Sequence, residues 1–135
     1  MSIVVDASVA LKWFFEEDGS ERATELLRLE DELIAPDLIC SEVGNATWKR
    51  VRNGLISGEE AEAVVGQLLA VPLVLADVRP LLGAAMAIAV EHDRSIYDSV
   101  YLALALTRGC QLVTADARMV NALAGTPLAD VVRSL

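Results

Sequence analysis

Four acidic residues, Asp6, Glu42, Asp98 and Asp116, stand where the pattern of the chain can bring them together. Asp6 follows Ile3-Val4-Val5, a β-branched run of the kind found in strands buried on both faces. Asp116 comes just after the apolar segment Gln111-Leu112-Val113-Thr114, and Glu42 and Asp98 fall in the first turns of predicted helices. In an open parallel sheet the carboxyl ends of the strands border the ligand crevice, so all four acids are placed to converge at one edge. Taken singly, each has a purely structural explanation. Asp6 or Ser8 caps the following helix, Asp98 completes a capping box with Ser95, Asp116 caps the last helix, and Glu42 is a solvated helix residue. Taken together, convergent carboxylates repel, and raised pKa values or bound cations are the usual resolutions. Oxygen donors without an accompanying His or Cys favour the hard divalent ions Mg2+ and Mn2+. Such an ion supports in-line displacement at phosphorus. Ser8 and Thr114, each two residues from an acid, suit the orientation of a ligand carboxylate or a metal-bound water, or else bond locally in turns and caps.

A second pattern continues from Glu42. Glu42, Asn45, Lys49 and Arg52 follow i, i+3, i+7, i+10 spacing and share one stripe of a helix, with Arg50 nearby. Such a run is usually a solvated face. Its functional reading is a metal ligand continued by a phosphate track, Lys49, Arg50 and Arg52, that holds a polyanion. That matters because the net charge is -9, which repels nucleic acid unless a local basic patch or bound cations invert the field. Trp48 and Val51 turn away from the stripe, toward the core or a subunit interface. The single histidine, His92, makes a histidine-based ribonuclease implausible, since that mechanism needs a separate acid and base. It is read as a helix C-terminal residue that complements the dipole. Cys40 and Cys110, far apart and without paired spacing, suggest buried small hydrophobes rather than a zinc site or disulfide.

The elements that must position these residues alternate. After the first strand and a helix through Leu11, Trp13 and Phe14, a polar break at 16–20 leads to an amphipathic helix from Ser20 to Leu29. Leu33-Ile34-Ala35 is a second strand stopping at Pro36, and a helix from about Asp37 to Asn53 follows, with Asp37 as its cap and Gly54 as its stop. Ser57-Gly58-Glu59-Glu60 fits a capping box for a helix through Leu69. Pro72 to Leu75 is a third strand closed by Asp77, and Pro80 to Glu91 an apolar helix. Ser99 to Arg108 is apolar on every side and therefore largely buried. Gln111 to Thr114 is a fourth strand, 118–123 a short helix, and Val131-Val132 a small fifth strand. This alternation implies right-handed crossovers and a parallel sheet covered on both faces. With 135 residues, 54% of them hydrophobic, the expectation is one α/β domain over 1–135. No apolar run approaches the roughly 20 residues that span a bilayer, and no signal-like leader is evident, so a soluble cytoplasmic protein without membrane contact is expected.

The motifs Val4-Val5-Asp6-Ala7-Ser8, Pro36-Asp37-Leu38 through Glu42-Val43-Gly44-Asn45, Tyr97-Asp98-Ser99 with Ala103, and Leu112-Val113-Thr114-Ala115-Asp116 occur in this order. In that ordered set the chain resembles the PIN-domain nucleases, specifically the small VapC-like toxins of prokaryotic toxin-antitoxin pairs. The resemblance spans essentially the whole chain. It implies a three-layer α/β/α fold with a five-stranded parallel sheet, Mg2+- or Mn2+-dependent endoribonuclease activity, frequent homodimers, and inhibition by a cognate VapB-type antitoxin. Carried over by position, Asp6 and Asp98 are the principal metal ligands, Glu42 and Asp116 complete the acidic pocket, and Ser8, Asn45 and Thr114 support it. Asp116, in a strand-to-helix loop, is the assignment most sensitive to register.

Two rival enzymes fit less well. The stretch from Leu73 to Asp77 with Pro80 resembles the phospho-acceptor strand of a receiver domain, yet receivers carry adjacent acids after the first strand and a late lysine, whereas Asp6 stands alone and no lysine follows Lys49. A haloacid dehalogenase-like phosphatase would need an Asp where Ser8 stands. The non-enzymatic alternative is an inactive or regulatory PIN-like module that binds metal or RNA without turnover.

Overall fold

A computed structural model describes residues 1–135. Five strands, β1 (Ser2–Val5), β2 (Glu32–Pro36), β3 (Leu73–Ala76), β4 (Gln111–Thr114) and β5 (Val132–Ser134), form one sheet in the order β3-β2-β1-β4-β5, every pair parallel. Seven helices connect or flank them: α1 (Ala7–Phe14), α2 (Ser20–Leu26), α3 (Leu38–Arg52), α4 (Gly58–Ala70), α5 (Leu82–His92), α6 (Ile96–Arg108) and α7 (Ala117–Leu123). The chain steps from β1 to β2 to β3 in one direction and then crosses back to β4 and β5. Right-handed crossovers in opposite directions place their helices on opposite faces, which gives the three layers. The packing agrees: α1 lies against α2 and α3, α3 against α4, and α5 against α6.

Reversal of the strand order puts the switch point between β1 and β4. The register pairs Val5 with Val113, so Asp6 and Thr114 emerge side by side at the carboxyl edge. The inner strands β1, β2 and β4 are apolar and almost wholly buried, as expected for strands covered on both faces, whereas the edge strand β3 leaves Val74 and Leu75 partly exposed.

Helix α6 is the central support of one face. Ser99 to Ala105 are all buried, and the helix packs on β1, β2 and β4. Ser95 caps it by accepting from the Asp98 amide at 3.1 Å, and left-handed Gly109 (φ 63°) ends it. The Ser57–Glu60 capping box opens α4 as expected, with bonds of 3.0 and 3.1 Å.

Several boundaries depart from the sequence reading. Helix α2 stops at Leu26: the Leu27 and Arg28 amides bond back three residues, to Thr24 and Glu25, and this tightening turn leaves Leu29 exposed as the chain enters β2. Asp37 precedes α3 but makes no side-chain cap bond, because its backbone is already helical. A 3-10 turn, Arg79–Leu81, precedes α5, which buries only Ala85 and Ile88 while Leu82, Met86 and Val90 face outward. The fifth strand begins at Val132 rather than Val131. Cys40 and Cys110 are free and only half-buried. No helix is long and apolar enough to cross a membrane.

Leu102 is fully buried at the centre of α6. Leu102→Ala is expected to destabilise the fold by about 2–5 kcal/mol through lost apolar contact and the cavity left behind, read as a lowered midpoint in urea unfolding.

Candidate active site

Asp6 is only 6% exposed, and its carboxylate is solvated by the protein itself. Ser8 Oγ donates to Oδ1 at 2.5 Å, Thr114 Oγ1 donates to Oδ2 at 2.5 Å, and the Val9 amide donates to Oδ1 at 3.2 Å. Asp6 is thus the cap of α1 and the buried acid at the switch point at once. The hydroxyls are oriented from the other side: Ser8 Oγ accepts from the Ala115 amide and Thr114 Oγ1 from the Asp116 amide, each at 3.0 Å. Each hydroxyl has one proton, already given to Asp6, so the 3.3 Å approach of Ser8 Oγ to Thr114 Oγ1 is a contact between acceptors. This cradle ties the ends of β1 and β4 together.

Glu42 reaches the same region from α3. Tyr101, buried on α6, donates its hydroxyl to Glu42 Oε1 at 2.6 Å and so holds the acid from the far side of the sheet. Asp98, in the first turn of α6, accepts from Arg94 Nη2 at 2.9 Å, so its carboxylate turns to that cation while its amide alone uses the Ser95 cap.

Burial pushes the Asp6 carboxyl above its ordinary range; the hydrogen bonds from Ser8, Thr114 and Val9 oppose this, and the charge of Asp98 adds to it. Burial likewise raises Glu42, Tyr101 opposes it, and the charges of Asp6 and Asp98 add to it. The Tyr101 hydroxyl is pushed up by burial and by the Glu42 charge beside it, and stays a donor. Asp6, Glu42 and Asp98 therefore act on one another electrostatically. Asp116, at the start of α7, caps that helix: its carboxylate accepts from the Arg118 amide at 3.0 Å.

No three of these acids converge closely enough to encircle an ion. The donor set nonetheless fits a hard divalent cation: hard oxygens from three elements at one edge, with Asp6 and Glu42 each raised chiefly by burial and further by neighbouring negative charge that a cation would offset.

Along α3, Asn45, Lys49 and Arg52 are exposed, as a solvent-facing stripe requires. Trp48 is also exposed, and the Arg52 guanidinium lies 5.4 Å from its ring centre. Arg50 is committed elsewhere, over the Phe15 ring at 3.9 Å and to Glu17 at 3.3 Å, where Lys12 also pairs at 3.2 Å. Tyr101 and Arg94 escaped the sequence reading. Tyr101 lies one turn after Asp98 among apolar residues, and a tyrosine there is a visible signal, since a buried phenol usually seeks a polar partner. Asp77 is taken by Arg79 at the sheet margin, away from the switch point, which removes the receiver-like reading.

Residues 3–124 match the family model described as PIN domain. Ribonuclease VapC3 of Pyrobaculum aerophilum is 34% identical over 121 residues, covering 88% of this chain and 92% of that protein. The crystal structure of PAE2754, also from Pyrobaculum aerophilum, superposes with a TM-score of 0.73 at 27% identity, over 93% of this chain and 90% of that one. VapBC2 of Rickettsia felis, solved bound to a DNA fragment from its promoter, gives 0.68 at 13% identity, over 99% and 98%, a likeness of fold.

Because its folded-state pKa is raised, Glu42 contributes stability that is fully present below its ordinary value near 4.5 and is lost as pH rises through the folded value. In metal-free buffer Glu42→Gln should therefore melt higher than wild type at neutral pH. Glu42 is half-exposed and screened, so the gain should be small, about 1–3 °C, and should vanish below about pH 4 in calorimetric scans.

Proposed function

The chain belongs to the PIN-domain family, and on that premise we propose that it is a VapC-like, Mg2+- or Mn2+-dependent endoribonuclease. The observation that carries this reading is the buried Asp6 cradle at the β1/β4 switch point, electrostatically coupled to Glu42 and Asp98. Asp6 and Asp98 would hold the cation, with Glu42 and Asp116 completing the acidic pocket. When bound, a divalent ion supplies Lewis acidity toward a phosphodiester and lowers the pKa of a water.

The chain's own residues do the rest. Ser8 and Thr114 fix both oxygens of Asp6, so its orientation costs no reorganisation when substrate arrives. Tyr101 holds Glu42 against the pocket. Lys49 and Arg52, exposed one and two turns beyond Asn45, offer phosphate contacts, while Arg50 braces the turn after α1. The partners we assign are an RNA substrate, a VapB-type antitoxin and a second copy of the chain, with action in the cytoplasm. The antitoxin is supported by a neighbour of the same fold being solved as a VapBC pair. One observation favours a module that binds without turnover: Asp98 is already paired with Arg94.

Cleavage of mixed single-stranded RNA with Mg2+ or Mn2+, and its loss in excess chelator, distinguishes these two readings; metal binding without cleavage would support the second. Asp98→Asn should lower the cleavage rate at least 100-fold with the circular dichroism of the fold unchanged. Unaltered turnover would remove Asp98 from the site.

For the stripe, Lys49→Ala combined with Arg52→Ala should weaken RNA binding and lower the slope of log affinity against log salt by about 1–2, measured on a cleavage-resistant RNA. An unchanged slope would reduce the stripe to solvated surface.

A further inference from the structure

Arg94 makes a local ion pair that lies outside the cradle around Asp6 and engages one of the candidate site acids. It follows Asp93, whose left-handed backbone (φ 52°) ends α5, and its own amide bonds to the Ala89 carbonyl at 3.3 Å. The side chain then lies over the start of α6, where Nη2 donates to Asp98 Oδ2 at 2.9 Å. The two side chains keep only 18% and 28% of their exposure. Arg94 Nε is buried and has no protein partner.

Nε and Nη2 are the pair of donors with which a guanidinium grips a carboxylate side-on, and here only one is used. A guanidinium that closed both bonds would hold the carboxylate more firmly than this one does. The grip is that of a charge partner which neutralises Asp98 without committing fully to it. Asp98 is also the acid whose charge acts on both Asp6 and Glu42. Neutralising it relieves the whole pocket.

We propose that Arg94 is an internal counter-cation which Asp98 exchanges for a divalent ion, so that loading the site requires the Arg94–Asp98 pair to open. The proposal rests on the divalent reading above. Arg94 is in this sense a positioning residue: it holds the acids together without metal and competes with the metal for Asp98. Its presence lowers the affinity for the ion and stabilises the metal-free fold.

The test is Mn2+ titration by calorimetry, with thermal midpoints in chelator, for wild type, Arg94→Gln and Arg118→Gln. The last removes an exposed, unpaired cation on α7 without touching Asp98. Arg94→Gln should bind Mn2+ about three- to tenfold tighter and melt lower in chelator, while Arg118→Gln should change affinity less than twofold. Wild type that binds Mn2+, with Arg94→Gln equal or weaker, overturns the exchange and leaves the divalent reading intact; a weaker variant would mean that Arg94 braces Asp98 for the ion. Wild type that binds no Mn2+ overturns the divalent reading itself, and the exchange with it. If Arg94→Gln fails to fold, the wild type still decides. The side-chain Nε–H of Arg94, shielded from exchange, should shift and lose protection in NMR spectra at saturating Mg2+, and an unmoved resonance overturns the proposal.

Discussion

The structure depends on one costly placement, a carboxylate at the end of the central, deeply buried strand. Val4 and Val5 carry β1 through the middle of the sheet with no solvent contact, and the next residue is Asp6. Water is not available to solvate it, so the protein supplies two hydroxyls and an amide. Those donors come from α1 and from β4, and they meet only because the sheet reverses its strand order there. The sheet topology, the capping of α1 and the polarity of the crevice are three aspects of the same requirement.

The other acids follow from it. A buried negative charge raises the cost of every further one nearby, and each neighbour is held by a specific partner: Glu42 by Tyr101, Asp98 by Arg94. These two partners sit one turn after and one turn before Asp98, so both are delivered by a short stretch at the start of α6. An acidic chain can still meet a polyanion because unpaired cations remain on the exposed side of α3, while Lys12 and Arg50 are spent on Glu17.

Much of the architecture was legible in the sequence because it is written in short-range patterns. The β-branched runs before Asp6 and the strand before Asp116, the Ser57–Glu60 box and the all-round apolar face of α6 each specify an element locally, and their alternation specifies a parallel sheet. What stayed hidden depends on distance or direction. The spacing that put Glu42, Asn45, Lys49 and Arg52 on one stripe said nothing of where Arg50 would go, since that is set by Phe15 and Glu17 more than thirty residues away. The sequence also paired Asp98 with Ser95 in a capping box, but its carboxylate answers to a half-buried cation instead. Asp116 was readable as a cap or as a pocket acid, and its bond to the Arg118 amide shows that it caps α7, a role it can hold alongside the other as Asp6 does on α1. The outward face of α5 was unreadable because an apolar helix gives no sign of which apolar side meets the sheet.

The pairing of Val5 with Val113 has an evolutionary corollary. Because neighbouring residues of a strand point to opposite faces, a one-residue insertion or deletion within Gln111–Thr114 would leave all four acids in the sequence yet present the wrong neighbour to Asp6. Homologues that keep every acid but differ in length at β4 would have lost the hydroxyl that solvates the buried one. Counting acids would score them as intact, whereas alignment of the β1 and β4 ends would not.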